Sequence, residues 1–293
     1  MSFTLSRRSF IIGSSLLLPA VGLGAGPAFS AGRDIDKQLA ALEKRTGGRL
    51  GVSVLDTKSN ASFGHRQDER FAMCSTFKAL AAAFVLARVD KGEEKLDRRI
   101  AVAKADLLSH SPIAEKHIAD GMTVAELCDA AVTYSDNAAA NLLLARFGGP
   151  DGLTAWLRSI GDGTTRLDRT EPALNEAKPG DPRDTTTPAA MMRTLGKLLL
   201  EDVLSPSSRD QFAAWLVANR TGGRRLRAGL PASWTVGEKT GTSGHGEAGD
   251  VGFMRPREGH TILASVYIAE GKKPTKELEP IFAEVGMLIA AMA

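Results

Sequence analysis

The chain has 293 residues, 43% hydrophobic and 24% charged, with 30 glycines and 13 prolines, a globular composition that excludes a disordered or fibrous protein. The formal charge of +3 includes Arg7 and Arg8, and residues 1–30 carry no acid, so the remainder is nearly neutral. That balance, with aromatics at 5%, gives no support to nucleic-acid binding or to a stacking platform for single strands.

The first segment reads as an export sequence. Ser6-Arg7-Arg8-Ser9-Phe10 precedes an apolar run, Ile11 to Leu18, and a small-residue stretch through Gly26. A cationic start, a short apolar middle and small residues at the end form a secretory pattern. The arginine pair resembles the twin-arginine type, which exports folded proteins. A membrane anchor is the weaker alternative, because Gly13, Pro19, Gly22 and Gly24 interrupt a run already short for a span. Small residues at Ala28 and Ser30 place cleavage near Ser30. No later segment is long and apolar enough to cross a bilayer, so the mature chain is expected in the bacterial periplasm without stable membrane association.

Apolar residues at Ile35, Leu39, Ala40 and Leu42 predict a helix over Asp34–Arg45, ended by Gly47-Gly48. Leu50 to Leu55 alternates as a strand, with Ala61 to Gly64 as its hairpin partner. From Thr76 to Cys128 and on to Phe147 the segments are Ala- and Leu-rich with helical periodicity, clearest over Ala79–Val89 and ended at Gly92. Thr187-Pro188 and Ser205-Pro206 look like helix starts, since proline suits a first helical turn. Trp234–Thr240, Gly249–Met254 and Thr261–Ile268 read as strands, and Phe282–Ala291 as a closing helix. Strands at both ends with helices between predict an α+β fold: one sheet assembled from the two termini plus an inserted helical domain.

Three short motifs carry the chemistry. Ser75-Thr76-Phe77-Lys78 opens the Ala-rich helix and puts a hydroxyl and an amine on one face, a turn apart. A neighbouring amine can take the hydroxyl proton, and the helix dipole favours developing negative charge. Alone, the pattern equally describes an N-cap with a surface lysine. Ser135-Asp136-Asn137 would ordinarily be a turn or cap, and Lys239-Thr240-Gly241 a strand ending at glycine. Together and in this order, each occurring once, they support a nucleophilic site instead.

The set resembles the active-site-serine penicillin-recognising enzymes, the class A β-lactamases and the penicillin-binding proteins. Glu171-Pro172-Ala173-Leu174-Asn175 is similar to the Glu-x-x-Leu-Asn motif of the class A Ω-loop, bracketed by Arg169 and Asp184, which in that family form a salt bridge across the loop neck. The chain is therefore identified as a member of the class A β-lactamases, a resemblance that spans the whole mature sequence. It implies an antiparallel sheet flanked by helices, formed by residues 31–67 and 218–293. It also implies an all-α domain of residues 68–217 that carries the Ω-loop at 169–184.

The resemblance further assigns roles. Ser75 is the nucleophile, and the N–H groups of Ser75 and Thr242 form the oxyanion hole. Lys78 lowers the cost of deprotonating Ser75, although the acylation base is either Lys78 or Glu171 acting through a water. Ser135 and Lys239 relay a proton to the leaving nitrogen, and Asn137 holds the substrate's side-chain amide. Glu171 and Asn175 activate the water that hydrolyses the ester. Thr240, Gly241, Thr242 and Ser243 line the edge strand beside the substrate. Arg225 stands at the position of an arginine that supports the substrate carboxylate, a task suited to a forked guanidinium. Arg224, Arg227, His245 and His260 are expected in solvent. No histidine spacing suggests a metal, so a cofactor-free monomer acting on small β-lactams is expected.

The sequence departs from the family at its cysteines. Many class A enzymes bridge the Cys128 position to one occupied here by Ala82, and a carbapenem-hydrolysing subgroup bridges the Cys74 position to one occupied by Ser243. Two free, buried thiols are therefore expected. Cys74 beside Ser75, with Thr242-Ser243-Gly244, mixes features of broad-spectrum subgroups, and His110 replaces a customary cleft-mouth Tyr or Trp. The competing readings are a DD-peptidase acylated by penicillin and a β-lactam sensor that stays acylated. Glu171 and Asn175 speak against the first. The absence of downstream signalling segments speaks against the second.

Overall fold

A computed structural model describes residues 27–293, so the expected export segment lies outside the described residues except at its end. Helix α1 (Pro27–Thr46) begins ahead of the predicted Asp34, because the apolar stripe that locates it starts only at Ile35. It stops at Gly47, whose φ of +71° is the left-handed conformation that glycine supplies without strain. Strands β1 (Arg49–Asp56) and β2 (Ser62–His65) form the expected hairpin, and the short β3 (Phe71–Ala72) leads to a single 3-10 turn at Cys74–Thr76. Helix α2 (Phe77–Asp90) follows, and every residue from Phe77 to Ala87 is buried. A helix apolar on all sides is an axial helix, surrounded by its neighbours.

The stretch after α2 corrects the reading of continuous helical segments to residue 128. Residues 91–121 are turns, short 3-10 segments and β4 (Arg99–Ile100), which pairs with β5 (Met122–Thr123). Gly92, Pro112 and Gly121 break the helical spacing there, and Gly121 takes a φ of +66°. Helix α3 (Val124–Thr133) starts at a reciprocal cap: Thr123 Oγ1 accepts from Glu126 N–H at 3.2 Å, and Glu126 accepts from Thr123 N–H at 2.7 Å. Helices α4 (Asn137–Leu144) and α5 (Gly149–Ser159) complete this half, and the Ω-loop returns the chain through β6 (Thr185–Thr186), paired with β3. The two predicted proline starts open α6 (Pro188–Leu200) and α7 (Pro206–Val217), with the Thr187 and Ser205 hydroxyls capping the first turns.

Strands β7 (Thr235–Thr242), β8 (Ala248–Arg257) and β9 (His260–Ala269) and helix α8 (Thr275–Met292) close the chain. The sheet is antiparallel throughout, in the order β2-β1-β9-β8-β7, so the first and last strands of the sequence lie side by side. β9 is buried along its whole length because both faces are covered. Ile262, Ala264, Val266 and Ile268 pack with Leu39 and Leu42 of α1 and Phe282 and Val285 of α8. Leu263 and Tyr267 point the other way, into the core that contains α2 and α6. β7 forms the edge opposite β2, beside the 3-10 turn.

His260 corrects the expectation of a solvent histidine. It is 3% exposed and bonds Asp56 Oδ1 at 2.8 Å, because its place at the start of β9 faces the buried end of β1, where an acidic group needs a donor. His245 is exposed as expected. Cys74 and Cys128 are both free and buried. Burial pushes both thiols above their ordinary range, with the charges of Glu247 and Glu171 adding to the shift at Cys74.

Candidate active site

Four separate stretches of sequence meet at the open end of α2. Ser75 sits in the 3-10 turn before the helix, preceded by Cys74 at a φ of +44°, and Lys78 lies one turn further on. Ser135 also has a positive φ, +60°, while the Asp136 side chain caps α4 by accepting from Ala139 N–H at 2.9 Å. Asp136 Oδ2 accepts from Ile113 and Ala114 N–H, each at 3.0 Å, so the acidic member of the motif serves the backbone and leaves Ser135 and Asn137 to face Lys78.

Lys78 is fully buried and ringed by acceptors: Asn137 Oδ1 at 2.5 Å, Ser135 O at 2.8 Å and Glu171 Oε1 at 3.0 Å. Burial lowers its pKa, and the Glu171 charge opposes that shift. Glu171, 3% exposed, also accepts from Ser75 Oγ at 3.2 Å, and its other oxygen accepts from Asn175 Nδ2 at 2.6 Å. One carboxylate thus touches the hydroxyl, the amine and the Ω-loop amide. On the opposite side Lys239, also fully buried, donates to Ser135 Oγ at 3.1 Å and to Thr240 O at 2.8 Å. Burial, then repulsion by Lys78 and Arg225, holds its pKa well below the lysine range.

The glycine of Lys239-Thr240-Gly241 has a steric reason. A Cβ at Gly241 would lie 2.6 Å from Met73 O and 3.1 Å from the Ser75 and Thr76 nitrogens, so only glycine lets β7 run against the Ser75 turn. Thr242 follows, exposed at the cleft. Behind it Arg225 is 3% exposed; its guanidinium donates to Thr242 Oγ1 at 2.6 Å and to the carbonyls of Gly241 at 2.8 Å and Gly249 at 2.6 Å. Of its neighbours, Arg224 is exposed and pairs with Glu279 at 2.7 Å, whereas Arg227 corrects the expectation of a solvated side chain by donating at 2.7 Å to the fully buried Glu238. Ser75, Ser135, Asn137, Asn175, Thr240, Gly241, Thr242 and Arg225 line one cleft of about 310 Å³, with His110 and Thr221. Ser243 lies outside that lining, 9% exposed and turned toward Glu247.

The Ω-loop is held at its neck. Arg169 Nε donates to Asp184 Oδ2 at 2.6 Å, and Asp184 Oδ1 accepts from the N–H groups of Asp168 and Arg169 at 2.8 and 2.9 Å. The Glu171–Pro172 peptide is cis. From α4, Asn141 bonds the Glu171 backbone twice: its Oδ1 accepts from Glu171 N–H at 3.0 Å, and its Nδ2 donates to Glu171 O at 2.9 Å. Sequence reasoning missed Asn141. Its signal was a second amide in Asn-Ala-Ala-Ala-Asn-Leu-Leu-Leu, one helical turn beyond Asn137. Also missed were Thr221, whose hydroxyl lies 2.5 Å from that of Thr240, and Asp250, buried beneath Arg225 and bonded to Leu226 N–H at 3.1 Å. Neither carries a local pattern. Burial and the neighbouring Glu238 raise the Asp250 pKa well above the carboxylate range.

A half-buried hydroxyl beside a buried amine and a buried carboxylate, next to a tightly packed edge strand, can attack a carbonyl, stabilise the oxyanion and deliver water to the resulting ester. Residues 34–292 match the beta-lactamase enzyme family. The chain is 45% identical over 267 residues to beta-lactamase CTX-M-8 of Citrobacter amalonaticus, covering 91% of this chain and 92% of that protein. It is 46% identical over 296 residues to beta-lactamase L2 of Stenotrophomonas maltophilia, covering 97% and 98%. Among solved structures, an ancestral class A beta-lactamase is similar at 61% identity with a TM-score of 0.87, over 88% of this chain and all of that one (100%). The putative class A beta-lactamase PenP of Rhodopseudomonas palustris is similar at 56% identity with a TM-score of 0.87, over 89% and 100%.

Proposed function

The chain belongs to the beta-lactamase enzyme family as a class A serine β-lactamase, and on that premise we propose that it hydrolyses penicillins and cephalosporins through an ester on Ser75. Ser75 Oγ attacks the β-lactam carbonyl and gives up its proton on the Lys78–Glu171 side. The Ser75 and Thr242 N–H groups hold the oxyanion, each donor worth about 10²–10³ in rate. Ser135, bonded to both lysines, passes a proton to the ring nitrogen. Asn137 binds the acylamino side chain, and the Thr240–Thr242 hydroxyls, with Lys239 and the buried Arg225, receive the substrate carboxylate. Glu171 and Asn175 then direct water at the ester. The observation that carries this reading is the position of Glu171, 3.2 Å from Ser75 Oγ and 3.0 Å from Lys78 Nζ, where a base for deacylation must stand. We further assign residues 1–30 to twin-arginine export, with the mature chain a periplasmic monomer built from a sheet domain and an inserted helical domain.

Hydrolysis of nitrocefin by the mature chain, followed with intact mass, tests the mechanism. Fast turnover with no lasting adduct is expected. A stoichiometric adduct without turnover would make the site a peptidase or sensor site.

A further inference from the structure

Ser243 and Glu247 face each other across the β7–β8 hairpin, and their contacts belong to no step of the mechanism above. The Ser243 hydroxyl donates to Glu247 Oε2. It also accepts from the N–H groups of His245 at 2.9 Å and Glu247 at 3.4 Å. The second carboxylate oxygen, Oε1, accepts from Glu270 N–H at 3.4 Å, just past the end of β9. Two backbone bonds flank the clasp, Ser243 N–H to Glu247 O at 3.0 Å and Gly271 N–H to Gly246 O at 3.2 Å. Glu247 is only 4% exposed. Burying a carboxylate is costly unless donors take its oxygens, and the hairpin and the β9 end supply them. Ser243 directly follows β7, and a Cβ on Gly241 of that strand would lie 2.6 Å from Met73 O and 3.1 Å from the Ser75 nitrogen, so the clasp holds the strand end that packs on the Ser75 turn.

We propose that Glu247 is a positioning residue for acyl transfer: by tying Ser243 to Glu270 it fixes the Gly241–Thr242 end of β7 against the Ser75 turn. The proposal rests on the mechanism above, in which Thr242 N–H holds the oxyanion. Thr242 is exposed and directly precedes Ser243, so the hold on Ser243 sets where that N–H points. Aim at this level matters, since a misplacement of about 1 Å can cost about 10² in rate. No covalent link shares the task, because Cys74 is free. On its far side Glu247 borders a cavity of about 300 Å³ shared with Arg70, Glu270 and Ω-loop residues 177–183. Shortening Glu247 would enlarge that cavity, and the hairpin would have room to relax.

The test is single-turnover acylation by a penicillin and by an oxyimino cephalosporin, read beside melting temperature. It compares the parent enzyme with Glu247→Ala, Glu247→Gln, Ser243→Ala and the double alanine variant. Each alanine single is expected to acylate about tenfold more slowly, with no further loss in the double. Glu247→Gln keeps an oxygen that accepts from Ser243 but turns its NH2 on the Glu270 N–H, so it should lose less than Glu247→Ala without reaching the parent rate. Alanine variants that melt earlier but acylate at the parent rate would overturn the proposal, as would losses that multiply in the double. If Glu247→Ala does not fold, unchanged acylation in Ser243→Ala is sufficient to overturn it. A parent that turns over without ever forming an ester overturns the Ser75 mechanism, and this proposal with it.

Discussion

Ser75, Lys78 and Glu171 divide the proposed chemistry by what each one touches. Ser75→Ala removes the attacking oxygen, and intact mass after incubation with penicillin should show no covalent adduct. Glu171→Ala should still be acylated and should accumulate the ester, since the hydroxyl and both lysines remain; normal turnover by this variant would refute the deacylation role. Lys78 gives the proposed chemistry its pH test. Burial holds its pKa below the free-lysine value of 10.5, so the neutral amine forms at lower pH than in a free side chain. If Lys78 is the acylation base, single-turnover acylation rises as pH rises through that lowered pKa. Lys78→Arg, protonated across the accessible range, should lose the limb, whereas a limb that survives assigns the base to Glu171 and a water. The unfolded chain binds the Lys78 proton more readily than the native one, so this group's contribution to stability also grows with pH over the same interval. Arg225, 3% exposed in the cleft wall and bonded to Thr242 Oγ1 at 2.6 Å, is proposed to support the substrate carboxylate, so Arg225→Ala should raise KM for anionic β-lactams more than it lowers kcat.

Two elements depend on single carboxylates. Asp184 joins both ends of the Ω-loop by accepting from the Arg169 side chain and from two backbone N–H groups. Asp184→Asn replaces one accepting oxygen with a donor facing other donors, so the loop loosens around Glu171. Deacylation should slow by at least about tenfold while acylation falls less, and pre-steady-state kinetics separates the two. Glu43 joins α1 to the first hairpin, with bonds from Arg66 Nε at 2.6 Å, His65 Nε2 at 3.0 Å and Leu50 N–H at 3.1 Å. Partial burial pushes its pKa up, but these donors, Arg66 foremost, bring it down to about 2 from 4.5. A carboxyl with a depressed native pKa stabilises the fold above its unfolded value and loses that contribution as pH falls through its folded one. Glu43→Gln should cost about 1–2 kcal/mol at neutral pH, discounted for solvent screening. The difference from the parent in denaturant unfolding should fade between pH 4.5 and 2.

At the scale of the whole molecule, the two cysteines contribute packing and no cross-link. Reductant should leave melting temperature and activity unchanged, and thiol reagents should count two reactive groups only after denaturation. The fold was largely legible because its longest elements state their period plainly: the alternating strands near both termini, the Ala-rich α2 and the two proline starts. Residues 91–121 were misread because alanine suits a helix by propensity without requiring one, while scattered breakers and the β4–β5 pairing decide the path. The two-residue strands β3 and β6 have no sequence signature at all, because pairing partners more than a hundred residues apart define them.

The sequence by itself determined which side chains can carry the proposed chemistry: Ser75 with Lys78, Ser135 with Asn137, Lys239 with Gly241, and Glu171 with Asn175 are close neighbours whose spacing is the motif. Only the tertiary structure decided what those pairs rest on. Asn141 grips the Glu171 backbone, Asp250 and Glu238 underlie the arginines, Thr221 meets Thr240, Glu247 clasps Ser243, and His260 turns inward to Asp56. Each is a polar residue in an unremarkable local pattern. Its role comes from a buried group on a distant segment that would otherwise lack a hydrogen-bond partner, and such a debt exists only once the chain is folded.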